Sequence, residues 1–348
     1  MKSGRVTAKQ VLWVSGLLGL GLLLAIGGAT LVGSQLTLGE LLRTVGGSAK
    51  GESRMSLTTV YDIVIRLRLP RAILAALAGC ALGAAGVTFQ GLLRNPLADP
   101  YILGVSSGAA LGAVVAILFL AGPGIYGLLV AFSLAGALGA ISVVYVTSTV
   151  RGHISRHTLL LVGVVTNACL GAAIMFLTAL ARFDELANII YWLMGNLNNP
   201  FSLPLSMLPV LATAILVGFS VLYLQAGSLN LLTLGEETAG HLGVEAERTK
   251  RLGFLAASLV TAATVAVTGP IGFVGLIVPH VVRLLLGSDH RLLLPAATLA
   301  GGIFLVACDA MVRTFLRDQF PVGVVTAILG GPFFIFLLKR EQRRIYFD

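Results

Sequence analysis

Ten stretches of the chain are almost wholly apolar, and short polar or Gly- and Pro-rich segments separate them. They run over 11–33, 72–89, 101–120, 126–150, 158–181, 204–224, 252–271, 273–286, 292–312 and 322–338. A membrane-crossing helix needs roughly 20 predominantly apolar residues, so the pattern predicts ten crossings and an all-α polytopic membrane protein. Several stretches carry glycines four apart, at Gly79/Gly83, Gly104/Gly108 and Gly108/Gly112. Such pairs let helix backbones approach closely where lipid supplies no hydrophobic drive, and they predict a tightly packed bundle. No low-complexity linker or compositional shift divides the sequence. Residues 1–348 therefore read as a single transmembrane domain.

Composition narrows the class. Of 348 residues, 57% are hydrophobic and 11% charged, against roughly a quarter charged in soluble domains. Too little polar chain remains for a large extramembrane catalytic head. The net charge of +9 does not point to nucleic acid, because the basic residues stand singly at the ends of apolar runs, which is the pattern of membrane topology. Lys and Arg divide fifteen to nine between alternate sides, placing both termini in the cytoplasm. One exception stands out: the segment from Arg43 to Arg71 is basic although it falls outside. The basic start, Met1 to Gln10, leads into an apolar run without a small-residue cleavage site and reads as a retained first span. Cys80, Cys169 and Cys308 each lie inside an apolar run and read as small buried hydrophobes with free thiols.

Chemistry is sparse. There is no Gly-x4-Gly-Lys-Ser/Thr phosphate loop, no HExxH and no Gly-x-Ser-x-Gly elbow, so the chain is expected not to be an enzyme. His153 and His157 are four apart, as metal ligands on one helix face would be. With Arg151 and Arg156 beside them and no acid or thiol nearby, they read instead as a cytoplasmic loop end. Asp309 is the one acid inside an apolar run, and a membrane charge is costly enough to be placed for a reason. It reads first as a pair with Arg313, one turn along; a proton or ion site is the other reading. Prolines at Asn95-Pro96-Leu97-Ala98-Asp99-Pro100, Gly269-Pro270 and Pro279-His280 break the helical pattern. Irregular backbone at membrane depth is tolerated where it is buried or lines a water-filled path. Helix-terminal prolines account for these breaks equally well.

Two polar segments are long enough for their own structure. The outer one, about residues 33–69, contains a short amphipathic stretch from Leu38 to Val45. The inner one, 225–251, interleaves small apolar residues with Glu236, Glu237, Glu245 and Glu247. It predicts one or two short helices at the cytoplasmic surface, either a solvated loop or a docking surface for a partner.

Taken in order, the motifs resemble the permease subunits of ABC importers for iron chelates, haem and cobalamin, the FecCD type of type II importer. The matching stretches are Arg68-Leu-Pro-Arg71, Gln90 with Arg94-Asn-Pro-Leu-Ala-Asp-Pro100, Leu103-Gly-Val-Ser-Ser-Gly108 and Tyr191-Trp-Leu-Met-Gly195. They continue with Leu229-Asn-Leu-Leu-Thr-Leu-Gly-Glu236, Ala239, Leu242-Gly243, and Gly272-Phe-Val-Gly-Leu-Ile-Val-Pro-His280 with Arg283. Asp289-His-Arg-Leu-Leu-Leu-Pro295 and Pro321-Val-Gly-Val-Val-Thr-Ala327 complete the series. Nearly the whole chain is covered.

This resemblance implies a ten-helix subunit of the bacterial-type inner membrane, paired with a second copy of itself around the substrate path. It implies two ATP-binding subunits on the cytoplasmic face, which use ATP and Mg, and a substrate-binding protein outside. The chain itself is expected to bind no cofactor, metal or nucleic acid, and to meet membrane lipid on its flanks. Leu229, Gly235, Glu236, Ala239, Leu242 and Gly243 match the coupling helices that seat on the ATPases. Arg68, Arg71 and, as a third, Arg313 match the outer positions that pair with acidic residues of the binding protein, which accounts for the topological exception. Asn95, Leu97, Arg156 and His157 match the cytoplasmic gate. The sequence departs from the family at Gln319, where a glutamate is common, with Arg317 and Asp318 beside it. The function implied is inward movement of a metal chelate by alternating access. An ion-gradient-driven secondary carrier for a small organic solute is the rival reading, and a non-transporting membrane scaffold the third.

Overall fold

The structure, a computed structural model, describes residues 6–32, 62–120, 125–197, 207–316 and 320–347. The amphipathic stretch at Leu38 to Val45 and the positions Arg317, Asp318 and Gln319 lie outside them. Helix α1 (Ala8–Leu31) starts on a reciprocal cap in which Thr7 Oγ1 accepts the Gln10 N–H and Gln10 Oε1 accepts the Thr7 N–H. A π-helical segment, Asp62–Arg68, runs straight into α2 (Leu69–Leu93), with Pro70 in the first turn, where no donor is required. A 3-10 turn, Pro100–Leu103, leads into α3 (Val105–Phe119), followed by α4 (Ile125–Ser148). Next comes a small hairpin of β1 (Thr149–Val150) and β2 (His153–Ile154), antiparallel with Thr149 opposite Ile154. Its turn residues, Arg151 and Gly152, have φ of 52° and 84°, the left-handed geometry that two-residue hairpins require.

The chain continues through α5 (Arg156–Ala179), α6 (Phe183–Leu193), α7 (Met207–Leu224), α8 (Ala226–Leu234), α9 (Glu236–His241) and α10 (Ala246–Thr268). It ends with α11 (Val274–Leu286), α12 (His290–Phe315) and α13 (Val322–Phe347). Among the described residues, seven helical stretches are long and apolar enough to cross a membrane, namely α1, α2 with its π segment, α4, α5, α7, α10 and α12. Shorter apolar helices at Val105–Phe119, Val274–Leu286 and Val322–Phe336 fall on the other three predicted stretches. The protein is all-α and polytopic.

The buried centre is α2, which packs on α12, α10, α11 and α1. The glycine pairs explain how it fits. A Cβ on Gly79 would come within 2.6 Å of the Gly301 carbonyl carbon and 2.8 Å of Gly302 Cα, and one on Gly83 within 3.1 Å of the Ala297 carbonyl carbon. These contacts are backbone against backbone, so neither helix can yield. Gly108 and Gly112 do the same for α3 against α4, meeting Gly136 and Phe132. Gly104 serves differently from the predicted pair: with φ of 83° it caps the 3-10 turn and faces Thr166 of α5.

Two elements fall outside the sequence expectation. Helix α6 is too short to span and packs on α3, burying Ile189 and Trp192; the hairpin between α4 and α5 is the other. The cysteines also differ from one another, since Cys308 is buried, Cys80 partly so and Cys169 exposed, all three as free thiols.

Candidate functional site

On the side assigned to the cytoplasm, α8 and α9 form the two short helices expected for residues 225–251. Gly235, with φ of 140° and ψ of 148°, makes the corner between them, a conformation closed to L side chains. Leu229, Leu232 and Ala239 are fully buried against the bundle, whereas Leu234 and Leu242 stand 65% and 57% exposed. Gly243, at φ of 82°, turns the chain toward α10. The segment thus has one face glued to the protein and one apolar edge facing outward.

Polar contacts hold that face in place. Asn230 of α8 donates from Nδ2 to Asp289 Oδ1 at 2.7 Å and accepts the His290 N–H at 2.8 Å. Asp289 Oδ1 also caps α12 by accepting the Arg291 N–H at 2.9 Å. Arg94 donates to the Leu232 carbonyl. Glu236 Oε1 meets Arg156 Nη2 at 2.5 Å, and Glu236 Oε2 meets Lys250 Nζ at 3.0 Å.

The gate residues lie beside this segment. Arg94 ends α2 at φ of 47°, and Asn95 Oδ1 accepts the Leu97 N–H at 2.9 Å, closing an Asx turn around Pro96. Asp99 Oδ1 accepts the Tyr101 N–H at 2.8 Å and starts the 3-10 turn. Asn95 and Leu97 are half-buried, and His157 is exposed at the start of α5. Arg156 points to the coupling segment through its pair with Glu236, so of the four gate candidates it is the one joined directly to α9. His153 Nδ1 lies 3.5 Å from Glu247 Oε1.

Several resembling motifs meet in one place. The Tyr101 hydroxyl donates to the Ile271 carbonyl at 2.8 Å and accepts the Ile271 N–H at 3.0 Å. The Asn196 N–H donates to Thr268 O, and the Gly323 N–H to Gly195 O. A Cβ on Gly269 or Gly195 would strike the backbone of the other break. The irregular link around Gly269-Pro270 is therefore buried in protein with its backbone satisfied, the condition that makes it tolerable at membrane depth. On α5, Asn167 donates to the Tyr101 and Ile102 carbonyls at 3.0 Å each and accepts from Ser107 at 2.6 Å. Sequence reading passed over Asn167, although an asparagine inside an apolar run is a signal for an interhelical hydrogen bond.

At the other end, Arg71 and Arg313 converge on Asp309, with Arg68 close to Arg313. Asp309 is fully buried; Arg71 approaches its Oδ1 at 2.8 Å through both Nε and Nη2, and Arg313 Nε lies 3.0 Å from Oδ2. Arg68 donates to the Thr30 carbonyl at 3.4 Å. The expected Asp309–Arg313 pair is present. The exposure expected of the arginines is not: Arg68 is 7% and Arg313 5% exposed. Asp309 turns Arg313 inward, and Arg68 is turned toward the Thr30 carbonyl.

Residues 17–340 match the FecCD transport family. The chain is 47% identical over 287 residues to the cobalamin import system permease protein BtuC of Halobacterium salinarum, covering 82% of this chain and 76% of that protein. It is 39% identical to the hemin transport system permease protein HmuU of Yersinia pestis, over 98% and 99% of the two chains. Its fold also matches a solved inward-facing metal-chelate type ABC transporter with a TM-score of 0.79 at 28% identity, covering 94% of this chain and 99% of that one.

Proposed function

We propose, from the premise that this chain belongs to the FecCD transport family, how its parts divide the work of import. The chain is a membrane permease subunit of an ABC importer. In our reading it has ten crossings with both termini in the cytoplasm. It pairs with a second copy, receives a substrate-binding protein outside and two ATP-binding subunits inside, and passes a metal chelate such as a ferric siderophore, haem or cobalamin. The observation that carries this reading is the coupling segment: α8 and α9 are tied by side chains to the segment that holds Asn95 and to the head of α5, while Leu234 and Leu242 face out for a partner. An ATPase groove pressing on those leucines moves both gate loops with it. Outside, the binding protein's acidic residues would exchange with Asp309 for the arginines, steering and registering the complex.

Reconstitution tests the whole. The permease is placed in liposomes with its ATP-binding subunits, and the binding protein carries radiolabelled cobalamin, haem or ferric siderophore. Uptake is expected to require Mg-ATP on the cytoplasmic side and to survive a protonophore. Uptake that ignores ATP and collapses with the ion gradient would replace this reading with the secondary carrier.

A further inference from the structure

Lys250 joins the coupling segment to the gate. It sits in the first turns of α10 at 4% exposure, where an unpaired ammonium is very costly. An ammonium has three donors and no acceptor, and here three acceptors surround it, each on a different part of the fold: Glu236 Oε2 on α9 at 3.0 Å, the Ile154 carbonyl of β2 at 3.0 Å, and the Glu247 carboxylate on α10 itself. The acceptors are themselves shared. Glu236 uses its second oxygen for Arg156 at the head of α5, and Glu247 Oε2 accepts the Ile154 N–H at 2.9 Å. Both polar groups of the Ile154 backbone are thus held, one by Lys250 and one by Glu247. Lys250 and Arg156 thus share two carboxylates, Glu236 and Glu247, with Arg94 also close to Glu236. Beneath them, Phe89, Leu92, Leu159 and Phe254 join Arg156 and Lys250 around a cavity of about 20 Å³.

We infer that Lys250 is a positioning residue for coupling: it makes α9, the β1–β2 hairpin and the start of α5 move as one body, so that displacement of the coupling segment reaches the gate. This rests on the coupling reading above. It is separable from mere anchoring of the segment, because α8 keeps its own attachments through Asn230, Arg94 and the buried Leu229 and Leu232. Loss of Lys250 therefore leaves α8 seated and removes the direct link from α9 to the hairpin, with only the Glu236–Arg156 pair still joining α9 to the head of α5.

The experiment is Lys250→Met, which keeps the stem and removes the donors, in the permease assembled with its ATP-binding subunits and binding protein in proteoliposomes. Substrate moved per ATP hydrolysed is expected to fall at least tenfold while the ATP-binding subunit still co-purifies and hydrolyses ATP, and Lys250→Arg is expected to restore much of the ratio. A parent-like ratio, or loss of the ATP-binding subunit from the complex, overturns the inference. Should Lys250→Met fail to assemble, Glu236→Leu leaves Lys250 paired with Glu247 and removes the acceptor for Arg156 and Lys250 on α9; it is expected to lower the same ratio, and a parent-like value in it also overturns the inference. Failure of the coupling reading itself shows separately: Leu242→Glu, on the outward edge, would then leave both co-purification and the ratio unchanged.

Discussion

Replacing Asp309 with asparagine tests the outer cluster most directly. In the parent, one buried carboxylate holds Arg71 by two nitrogens at 2.8 Å and Arg313 by one at 3.0 Å. The substitution keeps the volume and deletes the charge, leaving two guanidinium groups facing each other with Arg68 nearby. Breaking a buried pair by removing one partner costs about 3–5 kcal/mol, because the remaining charge stays buried without compensation. Had the arginines been surface charges, the loss would be no more than ~1 kcal/mol. Domains of 150–250 residues shift by roughly 2–4 °C per kcal/mol and larger ones by less; at about 1.4 °C per kcal/mol for a chain of this length, the midpoint should fall by about 4–7 °C. Thermal unfolding of the permease in nanodiscs, followed by the fluorescence of Trp13 and Trp192, reads this. A triple variant, Asp309→Leu with Arg71→Met and Arg313→Met, removes the charges together and should melt close to the parent, since apolar replacement of a whole buried ion cluster is often neutral or stabilising. An Asp309→Asn protein that melts within about 1 °C of the parent would refute the argument that burial makes this cluster strong.

Gly79→Val should destabilise by more than the ~1–3 kcal/mol of ordinary overpacking, because its Cβ meets backbone of Gly301 and Gly302, whereas Gly127→Ala, with nothing within 4 Å, should melt like the parent; equal midpoints for the two would remove the close-packing account of α2 against α12. Cysteines at 95 or 97, in a background with Cys80, Cys169 and Cys308 replaced, should crosslink the two copies of the permease in the resting state. Free reaction with bulky aqueous thiol reagents in every nucleotide state would move the gate away from the Asn95 loop.

How much of this was legible in the sequence depended on whether a feature is local. All ten apolar stretches coincide with helices, because hydrophobic length is a property of contiguous residues. The helix break at Asn95-Pro96 was likewise announced by proline. Helix α6 escaped because eleven amphipathic residues are too few for a span and too many for the loop they were assigned to. The hairpin escaped because Arg151 adopts a positive φ that sequence gives no reason to expect.

What the sequence withheld was partnership. Asp309 could be matched with Arg313 four residues on, but Arg71 lies 238 positions away, and Arg156 meets Glu236 across 80. In a chain with so few charges, each buried one must find an opposite charge or a carbonyl, since neither lipid nor packed helices will solvate it. That necessity says that Lys250 and Asp309 have partners; only the packing of α2, fixed by its glycines against α12, brings Arg71 to Asp309, and only the docking of α9 brings Glu236 to Lys250. The two clusters then differ in a way that fits their ends of the molecule. The inner set is spread over α5, α9, α10 and the hairpin, so in the inferred coupling it transmits motion. The outer set gathers Arg71 and Arg313 on Asp309, so in the proposed reading an acidic partner at that surface competes with Asp309 for them.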